Sequence, residues 1–319
     1  TGGCGFIGSH LTEMLCEKGY KISVLDRYNI NNDYGWLNNS KYRKDINFFL
    51  GDIRDYDSVN NSVKEVDTVI HLAALIGIPY SYISPLAYIK TNIEGTYNIL
   101  EASKNNNITQ LIITSTSEVY GSAQYVPMDE NHPLIAQSPY SASKIAADQL
   151  AISYFRSFNL PVKIIRPFNV YGPRQSQRAV IPTIIRQLLN ETDRIDLGNT
   201  DPTRDFTYVL DTCAAIYEIA CLENSYGEVI NIGSGKEISI QDLYSRISKL
   251  LKINKKIINA NDRIRPHKSE VLQLLSDTKK INNLCSWKPL ITLEKGIKNT
   301  IDWHKKNFLN DHKKNHYHV

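Results

Sequence analysis

The sequence predicts an α/β fold, a doubly wound parallel sheet with a smaller α/β lobe, and three observations predict it. The chain opens on a glycine-spaced loop, Thr1-Gly2-Gly3-Cys4-Gly5-Phe6-Ile7-Gly8, which leads into an amphipathic helical run at 10–18 ended by Gly19. From there to about residue 168, short apolar runs alternate with helical ones, the rhythm of crossover-connected parallel strands. One of those runs, 67–72, is almost unbroken in apolar character, as a strand covered on both faces must be.

The elements follow in order. Glycines at 2, 5 and 8 permit a tight turn, close backbone approach to a pyrophosphate, and close packing of helix on strand. The helix behind them turns free N–H groups and the positive end of its dipole toward an anion. Such a loop needs a strand feeding it, and nothing precedes Thr1, so a short first strand is expected to be missing from the sequence as it stands. The run 21–25 reads as a strand ending at Asp26, about 20 residues beyond the loop, where an acid accepts hydrogen bonds from an adenosine ribose and favours NAD over NADP. Arg27 beside it weakens that preference.

Strands are expected at 46–50, 67–72, 110–114 and 162–166, and helices at 87–105 and 140–158. The first strand of this set ends at Gly51-Asp52-Ile53. The 67–72 strand ends at His71-Leu72-Ala73-Ala74, where small residues let backbone approach a cofactor; His71 itself reads as a packed core histidine. Residues 75–85 form a turn-rich loop at the carboxyl end of that strand, where open α/β sheets bind ligands. Its Tyr80 and Tyr82 either line a pocket or cover a core edge. After Pro167-Phe168-Asn169-Val170-Tyr171-Gly172-Pro173-Arg174 the alternation breaks. A helix is expected at 180–189, a loop at 198–206, and a strand edge and helix at 208–222 returning to the first lobe. Shorter elements follow from residue 228, including an apolar strand at 229–233, a helix at 240–251 and a strand at 256–258. The expected division is 1–168 for a Rossmann-like nucleotide-binding domain, rejoined at about 205–222, and 169–319 for the smaller lobe.

Composition narrows the class. At 319 residues, with 42% hydrophobic and 22% charged residues, the chain reads as an ordinary globular protein. A net charge of +4 is too small to argue for nucleic acid or membrane, and the Lys-rich tail at 305–314 reads as a solvated end. Five scattered cysteines without a C-x-x-C pair argue against a disulfide framework or a zinc site and suit a reducing cytoplasm. No signal peptide is visible, nor an apolar run long enough to cross a bilayer.

The chemistry centres on Tyr140-Ser141-Ala142-Ser143-Lys144. Tyrosine and lysine four apart on a helix share a face. An ammonium near a phenol favours the phenolate, giving a base that works near neutral pH. Upstream lies Ser115-Thr116-Ser117-Glu118-Val119-Tyr120-Gly121. With the opening glycine loop, these motifs in this order resemble the extended short-chain dehydrogenase/reductase family of nucleotide-sugar epimerases, dehydratases and decarboxylases, over essentially the whole chain.

That resemblance implies an NAD cofactor and a nucleotide-sugar substrate. Tyr140 would take a sugar hydroxyl proton, Thr116 would hydrogen-bond the same hydroxyl, and Lys144 would bind the nicotinamide ribose. Further cofactor contacts are implied at Gly2, Gly5, Phe6, Ile7, Gly8, Asp26, Leu72, Ala73, Ala74, Asn92 and Pro167, with Asp52 and Ile53 against the adenine, and a substrate contact at Asn169. It also implies a homodimer built on the helices 87–105 and 140–158. A ketone formed on the sugar acidifies the neighbouring carbon and opens epimerisation, dehydration or decarboxylation.

Glu118 discriminates among these. A 4-epimerase needs no second base, whereas a 4,6-dehydratase must remove the C5 proton and expel the C6 hydroxyl, which calls for a carboxylate beside the sugar. Thr116-Ser117-Glu118 departs from the Thr-Asp-Glu of dTDP-glucose dehydratases. It resembles the Thr-Ser-Glu of GDP-mannose 4,6-dehydratases and of UDP-glucuronate decarboxylases. With serine in the acid position, Glu118 is expected to carry the C5 proton to the C6 oxygen itself. Arg265-Pro266, followed by Ser269-Glu270-Val271, resembles a nucleotide-contacting stretch of the GDP-mannose enzymes, implying Arg265 and Glu270 as contacts. Guanidinium groups grip phosphates bidentately, so Arg204 and Arg265, with Arg178 as a weaker third, are the diphosphate candidates. The segments 74–82, 138–148 and 172–182 are similar to nucleotide-activated N-acetylglucosamine 4,6-dehydratases of legionaminic acid biosynthesis. The expectation is therefore 4,6-dehydration of GDP- or UDP-N-acetylglucosamine. UDP-glucuronate decarboxylation, 4-epimerisation and an inactive NAD-binding module remain as alternatives.

Overall fold

The computed structural model describes residues 1–260 and 263–308; the basic tail beyond residue 308 lies outside the described residues. Behind the glycine loop, helix α1 (Phe6–Glu17) leads to strands β1 (Ile22–Arg27) and β2 (Ile46–Gly51), then helix α2 (Tyr56–Val63) and strand β3 (Thr68–His71). Helices α3 (Ile78–Ile83) and α4 (Pro85–Tyr88) run through a wider π-helical turn, Ile89–Glu94, into α5 (Gly95–Asn105). Strand β4 (Gln110–Thr114), a 3-10 turn at Ser117–Tyr120, helix α6 (Pro139–Phe158) and strand β5 (Val162–Pro167) complete the first half.

The second half runs β6 (Asn169–Tyr171), α7 (Val180–Leu189), β7 (Arg194–Leu197), β8 (Thr203–Tyr208), α8 (Val209–Ala220) and β9 (Val229–Ile232). It continues through β10 (Glu237–Ser239), α9 (Ile240–Leu251), β11 (Lys256–Asn259), β12 (Gln273–Leu274), α10 (Lys279–Cys285) and α11 (Leu293–Phe308).

The main sheet is parallel, in the order β3-β4-β5-β9, beside a parallel pair β1-β2 whose register sets Ile22 opposite Ile46. Thr1 and Gly2 join the two: Gly2 N donates to Leu25 O at 2.9 Å, Thr1 N to Ile70 O at 2.9 Å, and Leu72 N to Thr1 O at 3.2 Å. Helices cover both faces, and the strands show it residue by residue. Leu111 and Ile113 of β4 pack in one core with α2, α5 and α6, while Ile112 between them packs in the other with α7, α8 and α9. A period of two with apolar residues on both faces is what a buried parallel strand requires. No helix among the described residues is long and apolar enough to cross a membrane.

Several elements differ from the sequence expectation. Strand β9 pairs with β5 and so extends the main sheet, although the sequence reading gave residues from 228 onward to the smaller lobe. The expected loop at 75–85 holds helix α3, started by Gly77 with Pro79 in its first turn. The expected loop at 198–206 holds most of β8, which pairs with β6, β10 and β12. Its polar look hid it. Buried Asp205 accepts from Ser234 N at 2.8 Å, Gly235 N at 2.9 Å and Ser276 N at 3.2 Å, so a charge sits inside a strand because neighbouring backbone satisfies it.

Candidate active site

The loop after β4 and the first turn of α6 are fastened to each other. Thr116 caps the 3-10 turn by accepting from Glu118 N at 3.2 Å, and Ser138 caps α6 by accepting from Ser141 N at 3.0 Å. Ser141 then donates its hydroxyl to Glu118 O at 2.8 Å. Glu118 is thus held at both its N–H and its carbonyl, which fixes where its carboxylate leaves the backbone. Ser117 is buried in the same turn.

Tyr140 and Lys144 stand one helical turn apart, both buried, with Thr116 near enough to the Tyr140 phenol to act on it. The ring of Tyr88 meets that of Tyr140 edge-on, centroids 6.2 Å apart, and Tyr80 packs on Tyr88 at 6.1 Å. Lys144 Nζ donates to Thr114 O at 2.7 Å. Burial dominates the electrostatics of the pair. It pushes the Tyr140 phenol up, partly offset by the nearby Thr116 side chain, and pushes the Lys144 ammonium down, partly offset by Asp148. Burial thus raises the phenol, in place of the lowering expected from Lys144.

The glycine loop forms a cradle that fits a dinucleotide. Gly2 has φ +69°, and a Cβ there would stand 2.8 Å from Ala73 N; a Cβ on Gly8 would stand 2.1 Å from Gly2 O. Gly5 caps α1 with no side-chain hydrogen bond, leaving the first-turn N–H groups, at Phe6, Ile7 and Gly8, directed at the cradle. Asp26, one residue before the end of β1, accepts from Cys4 N and Arg27 N, both at 2.8 Å, tying loop to strand while each oxygen keeps a lone pair for a further donor. Leu72, Ala73 and Ala74 follow β3 against this loop, Ala73 N donating to Thr1 Oγ1 at 3.3 Å.

Other expected contacts are partly committed elsewhere. Asp52 is paired with Arg54 at 2.5 Å and held below the usual carboxylate range by it. Ile53 is buried, its carbonyl accepting from Asn98 at 2.9 Å. Asn92, buried in the π-helical turn, accepts from Leu75 N at 2.8 Å and donates to Leu75 O and Ser143 Oγ, both at 2.9 Å. It fastens the loop after β3 to α6. His71 is the satisfied core histidine expected, held between Thr1 Oγ1 at 2.7 Å and Thr96 Oγ1 at 3.2 Å. Pro167 ends β5 opposite Ile232.

Beside the Glu118 loop the structure gathers four charged residues. Arg204 lies 3.5 Å from Glu270, and Arg265 Nη1 lies 4.0 Å from both Glu270 Oε1 and Glu118 Oε1. Burial pushes the Arg204 guanidinium down, with Glu118 and Glu270 partly offsetting it. Asn169 has a buried Oδ1 without a hydrogen-bond partner among the described residues. Arg178 is exposed, near enough to Tyr88 to act on it electrostatically. Tyr82 bridges to the same segment through Ser269 Oγ at 2.5 Å, so it joins α3 to the Arg265–Glu270 stretch rather than covering a core edge.

Sequence reasoning missed the buried acid behind the pair. Asp148 and Arg166 form an ion pair at 3.0 Å, their side chains 0% and 3% exposed. The signal was there: an acid four residues beyond Lys144, and an arginine inside an apolar strand.

The model of the family described as GDP-mannose 4,6 dehydratase matches residues 1–300. A UDP-N-acetyl-alpha-D-glucosaminuronate decarboxylase of Bacillus cytotoxicus is 34% identical, over 95% of this chain and 96% of its own. A UDP-glucuronate 4-epimerase of Thermodesulfobacterium geofontis is 32% identical, over 96% of this chain and 95% of its own. Among solved structures, DesIV, a dTDP-glucose 4,6-dehydratase from Streptomyces venezuelae with NAD bound, superposes with a TM-score of 0.88 at 28% identity, covering 96% of both chains.

Proposed function

The chain belongs to the GDP-mannose 4,6-dehydratase family, and on that premise we propose that it is an NAD-dependent nucleotide-sugar 4,6-dehydratase acting on GDP- or UDP-N-acetylglucosamine. The observation that carries this reading is Glu118, clamped by Thr116 and Ser141 onto the helix turn that holds Tyr140. A simple 4-epimerase has no use for a carboxylate fixed there.

The cradle of Gly2, Gly5 and Gly8 would hold NAD⁺, which would supply a hydride acceptor and, once reduced, a hydride donor for the sugar. Tyr140 takes the C4 hydroxyl proton, with Thr116 orienting that hydroxyl and Lys144 placing its ammonium beside the ribose. Glu118 then removes the C5 proton, made acidic by the C4 ketone, and delivers it to the departing C6 oxygen as water, and C5 takes up a proton from solvent when C6 is reduced. Ser117 is a hydroxyl of ordinary acidity and a poor proton source, so its part is a hydrogen bond to the leaving group. Arg204 and Arg265, held by Glu270, suit the diphosphate.

The narrower substrate rests on the similarity of 74–82, 138–148 and 172–182 to N-acetylglucosamine 4,6-dehydratases, and leads to a 4-keto-6-deoxy product for legionaminic acid synthesis in the cytoplasm. A homodimer is supported by apolar side chains left exposed on α3 to α6, among them Ile83, Leu86, Ile89, Tyr97 and Phe158. Decarboxylation of a nucleotide-linked uronic acid is the second reading, favoured by Arg265 standing beside Glu118, where a guanidinium could hold a C5 carboxylate. Proton NMR of separate incubations with NAD⁺ and GDP-N-acetylglucosamine, UDP-N-acetylglucosamine or UDP-glucuronate tests both. A new C6 methyl signal from an N-acetylglucosamine substrate supports the proposal; pentose from the uronate alone replaces it with the second reading.

A further inference from the structure

We propose that Asp148 and Arg166 form a positioning device that locks the Thr116–Glu118 loop to the Tyr140/Lys144 helix and so sets the geometry of the reaction. The device lies beneath the site. Asp148 Oδ2 accepts from Ser115 Oγ at 2.8 Å, immediately before Thr116, and from Arg166 Nε and Nη2 at 3.1 and 3.0 Å. Arg166 reaches on to Tyr120 OH at 3.1 Å, its guanidinium 4.9 Å from the Tyr120 ring centroid. Tyr120 OH donates to Asn231 Oδ1 at 2.6 Å, and Asn231 N donates to Glu130 Oε1 at 2.8 Å.

Both ends of the reactive loop are therefore gripped by one buried chain of polar groups: Ser115 through Asp148, and Tyr120 through Arg166. The grip passes through α6, the helix that carries Tyr140 and Lys144, and is anchored on β5 and β9. A buried ion pair is a weak source of stability, and its best-attested use is to fix one arrangement among several. Here the arrangement fixed is the distance between the Tyr140 phenol and the Glu118 carboxylate.

Asp148 also stands one helical turn from Lys144 on the same face, with its Oδ1 buried and unpartnered among the described residues. The titratable groups around the pair are Asp148 from its own helix, Arg166 from β5, His71 from β3, Tyr88 from α4 and Glu118 from the loop. The carboxylate raises both Tyr140 and Lys144 from where burial alone would leave them. Removing its charge lowers both, so the whole pH–rate profile moves toward acid.

The inference rests on the proposed reaction for its kinetic readout, and a second readout needs no substrate. Asp148→Asn, with NAD bound, is expected to lower kcat about tenfold or more while KM changes little, because misplaced groups lose rate rather than binding. Its pH–rate profile moves to lower pH by about half a unit or more. The tyrosinate absorbance assigned to Tyr140, taken as the difference from Tyr140→Phe, shifts the same way. Ser115→Ala breaks the grip without leaving a charge unpaired, and guards against an Asp148→Asn chain that does not fold. It is expected to lower kcat about threefold or more with the profile unmoved and NAD affinity kept. A chain that turns over no nucleotide sugar yet shows the shifted tyrosinate would overturn the proposed reaction and uphold the device. Wild-type kcat in Ser115→Ala, or folded Asp148→Asn with unshifted profile and titration, would overturn the device.

Discussion

Nη1 of Arg265 lies 4.0 Å from Oε1 of Glu118, so the carboxylate proposed as the C5 base faces a guanidinium that is also shared with Glu270. The pairing separates two chemistries. If Arg265 serves the diphosphate, Arg265→Lys loses bidentate contact and raises KM for the nucleotide sugar about tenfold, with kcat within a few-fold of the wild type. Steady-state kinetics with an N-acetylglucosamine nucleotide checks this. A collapse of kcat at unchanged KM would place the arginine at the reacting carbon instead.

Glu118→Gln keeps the backbone grips of Thr116 and Ser141 and removes only the base. Elimination is expected to fall by about 10² to 10⁴, the usual contribution of a positioned acid–base group. Oxidation at C4 depends on Tyr140 and Thr116 and should survive. Reduced nicotinamide absorbance would then build up in a single turnover, whereas water loss at the wild-type rate would exclude Glu118 as the C5 base.

A methyl group at Gly8 would stand 2.1 Å from Gly2 O and 2.8 Å from Gly3 Cα, both backbone atoms that cannot turn aside. Gly8→Ala should therefore open the cradle and weaken NAD binding at least about tenfold. Calorimetric titration of NAD, with circular dichroism to confirm the fold, reads the effect. Gly19 has nothing within 4 Å of an added Cβ but sits at φ +86°, so Gly19→Ala should cost stability and leave NAD affinity alone.

His304 on α11 is buried, and desolvation holds it down at about 4, so it is neutral in the folded protein near neutral pH. A group lowered on folding contributes stability above its unfolded value of about 6.5 and loses it as pH falls toward 4. The loss is on the order of 2–3 kcal/mol over that interval. Urea unfolding near neutral pH and near pH 5 should show it, and His304→Gln should flatten the difference by about one proton. An unchanged slope in the variant would show that His304 is charged in the fold.

Much of this was legible in the sequence because local rules and tertiary need agreed. The glycine spacing, the apolar runs of β3, β4 and β5, and the i, i+4 placement of Tyr140 and Lys144 each point one way. What stayed hidden is where polar residues are buried for a reason supplied elsewhere. The strand β8 looked like a loop because Arg204 and Asp205 lie inside it, satisfied by Glu270 and by the backbone at Ser234, Gly235 and Ser276. Strand β9 looked like part of the smaller lobe because nothing local tells Val229–Ile232 that its partner is β5. Asp148 and Arg166 were visible as oddities, a charge on an inner helix face and a charge in an apolar strand, but their pairing is a fact of three dimensions.

The most direct test of the central claim is a mass spectrum of the products formed from GDP- and UDP-N-acetylglucosamine with NAD⁺ in deuterated water. Dehydration through C5 predicts a product lighter by one water and carrying a carbon-bound deuterium at C5, with the C4 hydrogen moved to C6. A product of unchanged mass, or water loss with no deuterium at C5, would contradict it.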